Sequence, residues 1–231
     1  MFFDPTYFLF ILPGFLLSLW ASFRVKRAFS KYSQVPSMRG LTGAEAAEEM
    51  LRRAGIAGVE IEEAHGFLSD HYNPLNKTLN LSEDVYRSTS VAAIGVACHE
   101  AGHAVQHARN YSPLWVRSAL VPTANIGSSI GYIVMTLGLM FASTNMVLVG
   151  AVLFSAVLLF QIVTLPVEFN ASSRAKQLVL EYGIISPNER EGVDRVLNAA
   201  ALTYVAAAVS TLLTLVYFLL RAGLLGGRRD D

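Results

Sequence analysis

The sequence predicts a mainly α membrane protein, with about four transmembrane helices and a small α+β segment between them. Composition is the first reason: 53% of the 231 residues are hydrophobic and only 16% charged, against about a quarter charged in a typical soluble domain. The second is where the charges are missing. Pro5 to Phe23 has none, Ser118 to Val167 runs fifty residues without one, and Val196 to Leu220 another twenty-five. Lys plus Arg equals Asp plus Glu at 18 each, which excludes a strongly basic nucleic-acid binder and an acidic disordered tail. A single cysteine, Cys98, excludes a disulfide framework and a multi-cysteine zinc knuckle.

About twenty apolar helical residues cross the roughly 30 Å hydrocarbon layer. The first and last stretches therefore give one crossing each. The fifty-residue stretch gives two, joined by the polar turn Ala142-Ser143-Thr144-Asn145. We place the spans near 5–23, 118–140, 147–166 and 199–220. The first is a retained anchor, because its basic residues (Arg24, Lys26, Arg27, Lys31) follow the apolar run, the reverse of a secretory leader. Eleven of the basic residues lie between Arg24 and Arg117, four between Arg174 and Arg195, and three (Arg221, Arg228, Arg229) in the tail. The positive-inside tendency puts 24–117 and 167–198 in the cytoplasm and both termini outside, with the tail arginines as the exception that Asp230 and Asp231 only weakly offset.

Between the spans, Thr42 and Glu45 form a capping box that opens a helix with the apolar stripe Ala46, Ala47, Met50 and Leu51, ended by Gly55 or Gly58. Val59 to Glu62 alternates as an exposed strand would, and Thr78 to Leu81 alternates again, giving a small hairpin or sheet. His65 to Tyr72 is polar and turn-rich, with Asn73-Pro74 as punctuation. Ser82-Glu83-Asp84 has the form of a cap and an acidic first turn.

The chemistry lies in Val91 to Arg109, VAAIGVACHEAGHAVQHAR. His99, Glu100 and His103 make the pattern H-E-x-x-H. Four residues is slightly more than one turn, so both imidazoles leave one helix face and can share one Zn²⁺. Glu100, about 100° round the helix, reaches a zinc-bound water without ligating the metal, and can take its proton. Small Ala101 and Gly102 suit a helix packed tightly behind a metal site. His107 lies about 12 Å along the axis from His99, too far to share the ion, and reads as a surface or interface histidine. Cys98 points about 100° away from His99 and reads as small core filler.

A catalytic zinc keeps three protein ligands and one open position. The strongest third candidate is Glu168 in LPVEFNASSRA, since an acid at the membrane edge is costly unless paired or ligating, and Pro166 can kink the helix that carries it. His65, Asp70 and His71 are the other candidates.

HEAGHAVQH, LPVEFNASSRA, the TG-x-EAA start at Thr42 and SDHYNP at Ser69 together resemble the YugP-type membrane zinc metallopeptidases of bacteria, over most of the chain. The glutamate after the third span also resembles HtpX-type membrane peptidases, where E-x-x-x-D supplies the third ligand and a supporting aspartate. The acid matches Glu168, whereas the aspartate position is Ser172, a possible support for the zinc ligands. The resemblance implies a zinc endopeptidase with one Zn²⁺, held by His99, His103 and Glu168; spacing alone implies a zinc hydrolase.

The expected whole is therefore a single membrane-embedded metallopeptidase domain over 1–231, with catalytic segment 24–117, ligand segment 167–198 and the four spans above. Its α+β segment is a cytoplasmic zinc-peptidase segment, an H-E-x-x-H helix plus short strands. Its partners are a protein or peptide substrate, membrane-associated, and the lipid bilayer, with no nucleic acid. Glu100 is the general base, His71 or Tyr72 supplies a transition-state contact, and the Thr78–Leu81 strand could pair with an extended substrate. The rivals are an intramembrane protease, disfavoured because only eight uncharged helical residues, Val91 to Cys98, precede His99 and because Arg87 and Arg109 bracket the helix, and a non-catalytic zinc-dependent scaffold or sensor.

Overall fold

The structure is a computed structural model that describes residues 4–66 and 69–225. Arg228, Arg229, Asp230 and Asp231 lie outside them. Four helical stretches are long and apolar enough to cross a membrane: Pro5–Tyr32, Ser112–Met140, Thr144–Glu181 and Pro187–Arg221. A mainly α membrane fold with a small sheet is the result. The helices outrun the expected spans. A charge ends an apolar run, but the backbone hydrogen bonds of a helix continue past it, as α1 (Pro5–Tyr32) does through Arg24 to Lys31.

The chain divides into two compact units. The apolar unit takes in Met1–Ala21, Trp115–Leu165 and Thr203–Asp231. Here α5 (Ser112–Ile126) passes through one π turn at Gly127–Gly131 into α6 (Tyr132–Met140). The expected turn follows: Ala142 takes a left-handed φ of 51° and the Ser143 amide donates back to the Gly138 carbonyl. The chain then re-enters α7 (Thr144–Glu181). Gly127, Gly131 and Gly138 face α7 so closely that a Cβ on any of them would strike it. Apolar side chains such as Leu9, Phe15, Leu19 and Val152 point outward, a surface suited to lipid. Arg221, at the end of α8 (Arg190–Arg221), lies 3.0 Å from the Asp4 carboxylate, so the one described tail arginine is offset within this unit.

The second unit takes in Ser22–Leu114 and Pro166–Leu202. Its frame is α2 (Gly43–Arg53) packed on α4 (Val91–Ala108). The Thr42–Glu45 capping box is present with both bonds made, and α2 ends at Ala54, before a left-handed Gly55. Three short strands, β1 (Glu60–Ala64), β2 (His71–Asn73) and β3 (Thr78–Ser82), form a sheet in the order β1-β3-β2, parallel on one side of β3 and antiparallel on the other. Leu79 and Leu81 of β3 point into the core with Met50, Ile94 and Ala97. This corrects two expectations. His71 to Asn73 form a strand, not part of a turn, because they pair with Thr78 to Asn80. And β3 cannot take a substrate strand, since both of its edges are occupied.

Ser82 stands at the N-terminus of the single turn α3 (Glu83–Tyr86), yet its hydroxyl caps nothing. The Asp70 carboxylate accepts from both the Ser82 amide, at 2.8 Å, and the Ser82 hydroxyl, at 3.0 Å.

Candidate metal centre

α4 is buried on nearly every side, as a helix of small and apolar residues in a core must be. Its N-terminus is capped by the Ser90 hydroxyl, which accepts from the Ala93 amide. Cys98 is fully buried within the core cluster, and burial pushes its thiol pKa up to about 12. It is core filler.

α7 runs unbroken through Pro166 and passes directly against the H-E-x-x-H turn. The contact depends on Gly102: a Cβ there would stand 2.8 Å from the Ala171 carbonyl oxygen, closer than side chains tolerate. The missing side chain lets α7 approach, and it brings Glu168 and Ser172, one helical turn apart, onto His99. Glu168 is 1% exposed.

The donor atoms of His99, His103 and Glu168 all lie within 4.8 Å of one another. Glu168 Oε2 is 3.2 Å from His99 Nε2 and 3.6 Å from His103 Nε2. A tetrahedral ion about 2.1 Å from each ligand would hold its donors about 3.4 Å apart, so the distances from Glu168 to both imidazoles fit zinc, as do the residue types. Among the described residues no fourth His, Cys, Asp or Glu joins the group.

The outer ring nitrogens are engaged too. His99 Nδ1 is 3.1 Å from the Ser172 hydroxyl, the position read as a possible support. His103 Nδ1 is 3.0 Å from Gln106 Oε1. Gln106 is fully buried, and its Nε2 donates to the Val167 carbonyl at 2.8 Å and to Asn170 Oδ1 at 3.0 Å. A carbonyl can only accept, so that end of the amide is the NH₂ and the other end is oxygen. The oxygen in turn can only accept, so His103 carries its proton on Nδ1. In the neutral, metal-binding imidazole the Nε2 lone pair would then face His99 and Glu168. Gln106 thus fixes a tautomer as well as a position. It was missed in the sequence, although a lone glutamine in a run of small and apolar residues is a usable signal.

Glu100 is 9% exposed, and its Oε2 accepts from the Tyr72 amide at 3.1 Å. Asp70, two residues before Tyr72, is pushed above its ordinary value by burial, with the nearby Glu100 charge adding to it. His71 is exposed, with Nδ1 2.7 Å from the Ser69 carbonyl oxygen. His65 is exposed as well. His65, Asp70 and His71 all stand outside the donor group. His107 also lies outside it, but it is not a bare surface group. It is half-buried, and its Nδ1 is 2.8 Å from the Tyr72 hydroxyl.

Comparison with known proteins agrees with this geometry. A family model described as "Putative neutral zinc metallopeptidase" matches residues 7–223. The chain is 47% identical over 204 residues to a protein of Bacillus subtilis (strain 168) named "Putative membrane protease YugP", covering 88% of this chain and 91% of the relative. No solved structure matches it significantly. With nearly its whole length matched and the histidines and acid of a metal site drawn together, the chain belongs to the family of neutral zinc metallopeptidases.

Proposed function

We propose that this protein is a membrane endopeptidase that hydrolyses peptide bonds close to the cytoplasmic membrane surface, with zinc held by His99, His103 and Glu168. The convergence of those three donors beside Glu100 carries the reading. Bound zinc supplies a Lewis acid that polarises the scissile carbonyl and acidifies the attacking water. Glu100 accepts a proton from that water and returns it to the leaving amine. Its Oε2 is anchored on the Tyr72 amide, which leaves Oε1 for the transfer. Gln106 keeps a proton on the outer nitrogen of His103, so that its inner nitrogen is the one free to ligate, and the Ser172 hydroxyl holds the orientation of the His99 ring. Of the two residues considered for the transition-state contact, Tyr72 has both of its donors engaged, the N–H with Glu100 and the hydroxyl facing His107, which leaves His71, exposed on the same strand.

A three-ligand site suits catalysis, whereas a structural zinc closes its shell with four protein ligands. That disfavours a scaffold or sensor. α4 is also absent from the span-length apolar helices, which disfavours cleavage inside the membrane. Cytoplasmic placement rests on the positive-inside distribution of Lys and Arg.

Glu168 follows the uncharged run Ser118 to Val167 directly, on the same helix. The zinc therefore belongs near the bilayer surface, and membrane-tethered chains are the favoured substrates.

Three measurements test this. Glu100→Gln should keep one zinc per chain by metal analysis and abolish cleavage; cleavage at the wild-type rate would remove the general-base assignment. Gln106→Ala should weaken zinc binding by about 10- to 100-fold in chelator competition, and an unchanged affinity would show that the tautomer argument is wrong. In proteoliposomes, a substrate sequence tethered to the bilayer should be cut faster than the same peptide free in solution. Equal rates would refute the preference.

A further inference from the structure

The sheet reaches the catalytic helix through Tyr72, which touches α4 at two levels. Its backbone N–H donates to Glu100 Oε2 at 3.1 Å, and its hydroxyl lies 2.8 Å from His107 Nδ1. Glu100 and His107 are seven residues apart, two helical turns or about 10 Å along the axis. One residue, through its amide and its hydroxyl, therefore reaches from the general base to a histidine beyond the metal ligands.

β2 needs such a brace. It is three residues long and pairs with β3 along one side only. Asp70, held by the Ser82 amide and hydroxyl, ties the chain just before it to the end of β3. The Tyr72 hydroxyl ties it to α4. Burial, with the Lys77 charge adding to it, pushes the His107 pKa down. Near neutral pH the imidazole is then uncharged, and Nδ1 can accept from the tyrosine hydroxyl.

We propose that His107 is a positioning residue: by holding the Tyr72 hydroxyl it sets the register of β2 against α4 and keeps the Tyr72 amide on Glu100. This rests on the reading of Glu100 as general base. It gives the third histidine of α4 a purpose that needs no contact with the metal.

The test uses the full-length, zinc-loaded protein in detergent or nanodiscs, with two independent readouts. Amide hydrogen exchange over residues 69–75 requires no activity. His107→Ala should speed exchange at Tyr72 and lower kcat by about tenfold, the worth of one hydrogen bond. KM and zinc affinity should hold within about twofold. His107→Asn, which can present an oxygen near the place of Nδ1, should recover most of both. Tyr72→Phe should match His107→Ala, and the double variant should be no worse than either alone. Should His107→Ala fail to fold, Tyr72→Phe and His107→Asn still decide the matter. Wild-type protection and kcat in the single variants, or losses that multiply in the double, would overturn the proposal. A wild-type protein that hydrolyses no peptide would sink the peptidase reading, and the exchange measurement alone would then decide the brace.

Discussion

A carboxylate that is 1% exposed has to be met by compensating charge or strong hydrogen bonds, and much of the second unit is arranged to do this at Glu168. Two imidazoles face it from one side of α4. They can do so only because Gly102 lets α7 come into contact with the helix that carries them. Ser172, one turn after Glu168, then falls onto the far nitrogen of His99, and the Val167 carbonyl and Asn170 receive the Gln106 amide. The same contact thus supplies the acid of the candidate metal site, the partners of both outer imidazole nitrogens and the tie between the two helices. A divalent cation at this point would replace protons as the compensating charge.

The helices were legible because charge spacing is a direct record of the lipid. Fifty uncharged residues admit few other readings, and the polar tetrapeptide at 142–145 marks its own turn. The H-E-x-x-H face and the acid at 168 were legible for a related reason: such residues in apolar surroundings are costly unless they pair or ligate. The helix lengths were not, since nothing in a charged residue stops a helix. The strand at 71–73 was hidden behind a polar, proline-punctuated segment, and only its pairing with β3 reveals it. Ser82 looked like a cap and is spent on Asp70 instead. The Tyr72–His107 bond joins residues 35 positions apart, beyond the reach of any local pattern.

The two units have opposite surfaces. The apolar unit turns Leu9, Phe15 and Val152 outward and keeps its terminal charges paired as Asp4 and Arg221. The other buries its apolar residues around α4 and shows its charges on the surface, as in the Arg87–Glu63 pair. Long helices pass between these environments without interruption, and α7 carries Glu168 directly after its uncharged run.

The central claim is one zinc ion held by two imidazoles and one carboxylate. Zinc K-edge X-ray absorption on the purified, zinc-loaded protein tests it most directly. The account predicts a single shell of nitrogen and oxygen neighbours at about 2.0–2.1 Å with the outer-shell pattern of two histidines. A sulfur neighbour at about 2.3 Å, or a protein that takes up no zinc, would contradict it.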